Sequence, residues 1–193
     1  MEIIKKLKSG DVFYIPIENG KYGIGQILKL ESEKSPADAM MILIDEIFTL
    51  EEIERLSEED FLAKKVLSMM PLNLILIKNK RWKVFNNFSL LTTEIPMCAG
   101  KKTVSDGNDL NDGMLWDYTN SFIRYLPYSE VSHMYGSWSR GPIYFENILK
   151  IRFIDENFAP NGVDSDYFFH WPEGTITESD MVINADKYQR IKI

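Results

Sequence analysis

The alternation of hydrophobic and polar positions predicts a β-hairpin over residues 12–28. Asn19-Gly20 is a strong signal for a two-residue type I′ turn, because both central positions of that turn need a positive φ. Counting outward from the turn places Tyr14 opposite Gly25, where its ring can cover the bare backbone of a strand glycine. The pattern predicts a small, curved antiparallel sheet or an SH3-like barrel at the N-terminus.

Helix signals follow a strand that is predicted at residues 39–44. Thr49 stands three residues before Glu52, the spacing of a capping box, and Ser57 repeats the N-cap signal before a second acidic run. One or two short helices are therefore expected over about residues 50–69.

Pro71 is expected to end the helical region, because the residue before a proline is biased away from the helical conformation. The polar run at residues 100–113 predicts a loop, which is the only candidate boundary in what we take as a single domain, 1–193. The expected fold class is α+β, mostly β. Further short strands are predicted at residues 72–77, 81–85, 115–118, 121–125, 143–145, 148–154 and 167–171.

The composition of the chain indicates which cellular compartment and which class of binding partner to expect. A formal net charge of −7 gives no reason to expect affinity for nucleic acid or an anionic membrane, whereas it could steer a basic protein partner. Cys98 is the only cysteine, residues 1–8 lack the apolar core of a signal peptide, and no apolar run is long enough to span a membrane. A reducing cytoplasm is expected, while oligomeric state is left open.

No motif selects a catalytic residue, a cofactor or a metal ion. The only histidines, His133 and His170, belong to no zinc-binding spacing, and residues 136–141 lack the Gly-x-Ser-x-Gly of a nucleophile elbow. A dyad of Cys98 with either histidine stays open as an alternative.

The segments 9–17 and 20–28 resemble the opening of the immunity protein 26 family, which carries a Gly-Asp-Val-Phe, an Ile-Pro and a Gly-Lys-Tyr-Gly followed by a further glycine. The resemblance implies a mostly β protein of a bacterial polymorphic toxin system. Such proteins are usually encoded beside a secreted toxin and block it by direct binding, so no catalytic residue carries over. The resemblance rests on Gly10, Asp11, Phe13, Pro16, Gly20, Tyr22, Gly23 and Gly25.

The expected function is therefore binding and neutralisation of a cognate protein toxin, with a basic nuclease as one candidate partner. Acidic side chains and Trp or Arg in turns suit such an interface. The alternatives are a small-ligand-binding or scaffold β domain and a hydrolase that uses His133 and His170. An irregular calcium site formed by Asp106, Asp109 and Asp112 of the 100–113 loop, without the EF-hand spacing, also stays open as an alternative. The predicted partner-binding residues are Asp106, Asp109, Asp112, Trp138, Arg140 and Trp171.

Overall fold

The computed structural model describes residues 6–31, 37–93, 98–101, 113–116, 122–126 and 144–156. The chain divides into two compact units, the first comprising residues 1–91 and 140–170 and the second residues 92–139 and 171–193. A single domain over residues 1–193 stays a prediction. None of the helices in the described ranges combines the length and apolar character required to cross a membrane.

The first unit contains a five-stranded antiparallel sheet, which is open rather than closed into a barrel. The predicted α+β, mostly β fold class is thus confirmed. Of the two predicted forms, the antiparallel sheet is observed and the SH3-like barrel is not. The strand order is β4-β3-β2-β1-β5, so β4 and β5 are its edges. The strands are β1 (Asp11–Pro16), β2 (Tyr22–Leu30), β3 (Asp38–Phe48), β4 (Val66–Asn73) and β5 (Lys83–Asn87).

The turn between β1 and β2 has the predicted backbone but one more residue than predicted. Asn19 and Gly20 have φ values of 56° and 69°, and the Lys21 N–H donates to the Glu18 carbonyl over 3.0 Å. The Ile17 N–H also donates to the Lys21 carbonyl, over 2.9 Å. Ile17 and Glu18 therefore share one partner, which shifts the register of the two strands by one residue.

This shift corrects the predicted pairing. Phe13, and not Tyr14, lies opposite Gly25, while Tyr14 pairs with Ile24. A Cβ added to Gly25 would lie 2.5 Å from Cζ of Phe13, so the Phe13 ring covers that glycine. Because side chains alternate along a strand, Phe13 faces one side of the sheet and Tyr14 faces the other.

The two short helices are confirmed as α1 (Leu50–Arg55) and α2 (Glu58–Leu62). Thr49 and Glu52 form the expected capping box, and Ser57 caps α2. The predicted helical range was too long, because residues 66–69 belong to β4 rather than to a helix. Pro71 lies within β4, where an edge strand tolerates a residue that cannot donate a hydrogen bond.

Two further helices replace predicted strands. They are α3 (Ile75–Lys78), in place of the second half of strand 72–77, whose first two residues belong to β4, and α4 (Tyr144–Phe153), in place of strands 143–145 and 148–154. Short apolar runs do not distinguish buried strands from buried helices by periodicity. The spacing of Phe145, Ile148 and Leu149, all fully buried, is the helical signal in the sequence.

Helix α4 packs on the side of the sheet that holds Phe13. The Phe13 and Trp82 rings stack with centroids 5.5 Å apart, and Trp82 stacks in turn on Phe145 at 6.1 Å. The Trp82 indole N–H donates to Glu146 over 2.8 Å. Arg152 forms an ion pair with Asp45 of β3 at 3.1 Å. Helix α4, which follows the five strands of the sheet by more than 50 residues in the sequence, thus completes the core of the first unit.

In the second unit the described residues form a three-stranded antiparallel sheet in the order β6-β7-β8. The strands predicted at residues 115–118 and 121–125 overlap β7 and β8, whereas the strand predicted at 167–171 lies outside the described residues. The three strands are β6 (Cys98–Lys101), β7 (Gly113–Trp116) and β8 (Phe122–Leu126).

Candidate functional site

The first two residues of the hairpin motif fix the start of β1 against the end of β5. Gly10 has a φ of +86°, and a Cβ added there would lie 2.5 Å from the Phe88 carbonyl oxygen. The buried Asp11 carboxylate accepts the Lys8 N–H and an Asn87 amide N–H, each over 3.0 Å. Both residues therefore serve the fold by closing a backbone junction.

The other motif residues also shape the scaffold. A Cβ added to Gly23 would overlap Leu149, so this glycine allows α4 to pack against β2. Pro16 pairs with Tyr22 and lies beyond Tyr14, where the pairing of β1 with β5 ends, so its missing N–H leaves no gap in that ladder. Gly20 lies in the turn and Tyr22 is partly exposed.

Gln26 is a buried polar side chain that the sequence reasoning missed. Its Nε2 donates to the Ser89 carbonyl over 2.9 Å, and its Oε1 accepts the Leu91 N–H over 3.0 Å. Glu58 of α2 accepts the Ser89 N–H over 2.6 Å, and this hydrogen bond lowers the pKa of the Glu58 carboxyl. These contacts tie the chain after β5 to β2 and α2. A glutamine within an otherwise apolar strand was the available sign.

On the opposite side of the sheet from α4, a line of aromatic rings runs from the surface into the core. Tyr22, Tyr14 and Phe85, here called the aromatic row, are all partly exposed. Tyr14 contacts Tyr22 edge-on with centroids 5.3 Å apart and lies 6.2 Å from Phe85. The line continues from Phe85 to Phe88 at 6.5 Å and from Phe88 to the buried Phe61 of α2 at 5.4 Å.

Helices α1 and α2 form an exposed acidic surface, here called the acidic segment, residues 50–62. The segment contains six carboxylates and one cationic residue, Arg55, and all seven of these residues are exposed. Leu50 and Leu62 at its two ends are 43% and 42% exposed, whereas Ile53 and Phe61 are buried and anchor it. The six carboxylates belong to Glu51, Glu52, Glu54, Glu58, Glu59 and Asp60.

The acidic segment begins directly beside the aromatic row. Tyr22 pairs with Phe48, the residue before the N-cap Thr49. Hydrogen bonds from the backbone and side chain of Thr49 lower the pKa of Glu52, and the positive charge of Lys21 lowers it further. The acidic segment thus begins two residues after the row's neighbour Phe48, and at its other end Phe61 connects to Phe85 of the row through Phe88.

The residues predicted to bind a partner lie outside the described residues, as do His133 and His170. They are Asp106, Asp109, Asp112, Trp138, Arg140 and Trp171, and their role stays a prediction. Within the described ranges, no group of three or more His, Cys, Asp or Glu side chains is placed to hold a metal ion. Sequence reasoning did not select the aromatic row, because the predicted register placed Tyr14 over Gly25.

Comparison with known families found a match between residues 8–109 and the model of immunity protein 26. The matched segment spans the whole sheet from β1 to β5, both short helices and part of the second unit. No curated protein and no solved structure matched the chain. Since the match covers more than half of the 193 residues, this chain belongs to the immunity protein 26 family.

Proposed function

We propose that this chain binds and neutralises a cognate toxin of a bacterial polymorphic toxin system by direct protein–protein contact. The observation that carries the proposal is the family match over residues 8–109, which supports an immunity function and implies a toxin as partner. Neutralisation of this kind requires a complementary surface and no catalytic residue of its own.

Charge favours a basic toxin, and a nuclease is one class of basic protein that fits. The chain carries a formal net charge of −7, and its acidic segment is exposed. Complementary charge accelerates the encounter of two proteins and disfavours wrong partners. The single cysteine suits a reducing compartment, so we place the action in the cytoplasm of the producing cell.

The test uses a candidate toxin domain, which for immunity proteins of this kind is usually encoded by the neighbouring gene. Expressed alone in a bacterial host, that domain should arrest growth, and co-expression of this chain should restore it. The purified proteins should form an equimolar complex by calorimetry and size-exclusion chromatography. A catalytically inactive toxin variant allows the complex to be prepared in quantity. Failure to restore growth, or restoration without a detectable complex, would contradict neutralisation by direct binding.

A further inference from the structure

We propose that the aromatic row and the neighbouring acidic segment form one docking surface for a basic face of a partner protein. The proposal rests on the proposed function, because the partner it describes is the toxin. Its occupant is a protein surface on which Arg or Lys side chains surround an apolar centre.

The aromatic row provides the centre of this surface. Its three rings stay partly exposed although the sheet around them is buried, for example at Val12 and Ile24 on the same side. The hydroxyls of Tyr14 and Tyr22 have no hydrogen-bond partner in the described part of the chain, so each has a donor to offer. Partly exposed tyrosines on a rigid strand lose little entropy on binding and are enriched at interface hot spots.

The acidic segment provides the charged rim. Glu54 and Glu59 are exposed and, among the described residues, make no side-chain hydrogen bond or ion pair. Their charges are therefore available to a partner, whereas Glu52 and Glu58 are already engaged with Thr49 and Ser89. An apolar or aromatic centre with a polar rim is the usual arrangement of a protein interface.

These two features select the same kind of occupant. An Arg or Lys side chain can place its apolar stem and cationic head over a Tyr or Phe ring while its charge is attracted to nearby carboxylates. A second copy of this chain would bring its own acidic segment to the same surface, and like charges would oppose that contact. Nucleic acid is disfavoured for the same reason.

The experiment measures the affinity and association rate of the neighbouring-gene toxin domain for matched variants of the full chain. Tyr14→Ala should weaken binding about tenfold or more, mainly through faster dissociation. The double variant Glu54→Lys/Glu59→Lys should slow association severalfold and flatten its dependence on salt. Two controls, Ile75→Ala and Glu156→Lys, change an exposed apolar residue and an exposed carboxylate elsewhere on the first unit and should stay within about twofold of wild type.

Circular dichroism checks the fold of each variant. If Tyr14→Ala is unstable, the double glutamate variant still tests the surface, because both glutamates are exposed and their replacement should not disturb the fold. If wild type binds and the row and rim variants keep its affinity and association rate, this surface is wrong while the proposed function stands. If wild type itself does not bind, the proposed function fails and the surface fails with it. If the chain alone is a dimer that Tyr14→Ala dissociates, the surface is a self-interface and the proposal is overturned.

Discussion

Two glycines with positive φ values separate two contributions to stability: the strain of a left-handed backbone, and the room that a missing side chain leaves for another backbone segment. Gly10 has a φ of +86° and Gly20 a φ of +69°. A Cβ at Gly20 would meet nothing within 4 Å, whereas one at Gly10 would lie 2.5 Å from the Phe88 carbonyl oxygen. The substitutions Gly10→Ala and Gly20→Ala therefore share the strain, and only the first adds a collision with backbone.

The expected costs differ accordingly. A left-handed conformation costs an L-residue roughly 1–2 kcal/mol, which is the whole effect expected of Gly20→Ala. At Gly10 the crowded Cβ must displace Phe88, which adds about 1–3 kcal/mol by analogy with overpacked cores. Phe88 is held by its N–H donating to the Gly10 carbonyl over 3.0 Å, so displacement also disturbs this hydrogen bond. Gly10→Ala should therefore cost about 2–5 kcal/mol.

Urea unfolding followed by circular dichroism measures both costs. We expect the unfolding midpoint to fall for both variants, and to fall further for Gly10→Ala, with similar slopes because the surface exposed on unfolding is unchanged. Equal costs, within about 0.5 kcal/mol, would refute the reasoning, since they would mean that Phe88 yields to the added methyl group without loss.

Three further predictions concern the helix packed on the sheet and the chain after β5. Leu149→Ala should lower the free energy of unfolding by about 2–5 kcal/mol, because Leu149 is fully buried, and urea titration measures the loss. Glu146→Ala should cost about 1–3 kcal/mol by leaving the buried Trp82 N–H without an acceptor, while Glu146→Gln keeps an acceptor and should cost less; equal losses would contradict this role. The hydrogen bond from Ser89 lowers the pKa of Glu58 and therefore stabilises the fold above the ordinary value of 4.5. This stabilisation should disappear as pH falls through the lowered value, with weaker protection of the Ser89 amide against hydrogen exchange, and Glu58→Ala, which removes the acceptor, should reproduce that weaker protection at neutral pH.

The features that the sequence predicted correctly are those set by a few adjacent residues. The Asn19-Gly20 backbone and the Thr49 capping box depend on side chains and φ values within four positions, and both formed as expected. The register failed because the extra residue, Glu18, adjoins the predicted turn and changes none of its signals. A one-residue shift then exchanged the sides on which Phe13 and Tyr14 lie.

The features that were missed depend on distant partners. Residues 66–73 form a strand because β3 lies beside them, and Pro71 is harmless only because β4 is an edge. Helix α4 packs against the sheet through Phe145, which stacks on Trp82, a residue 63 positions earlier in the sequence. Propensity over a short window cannot contain such information, since tertiary packing overrides it.

The register separates the residues of β1 that build the core from the residue that belongs to the proposed docking surface. Along β1, Phe13 and Ile15 face the core under α4, and both are fully buried. Tyr14 lies between them, points to the opposite side of the sheet as part of the aromatic row, and stays partly exposed. Because side chains alternate along a strand, Phe13 can pack in the core while Tyr14, one position further, lies on the proposed docking surface. On this view a substitution at Tyr14 should alter affinity far more than the fold, and a substitution at Phe13 should do the reverse.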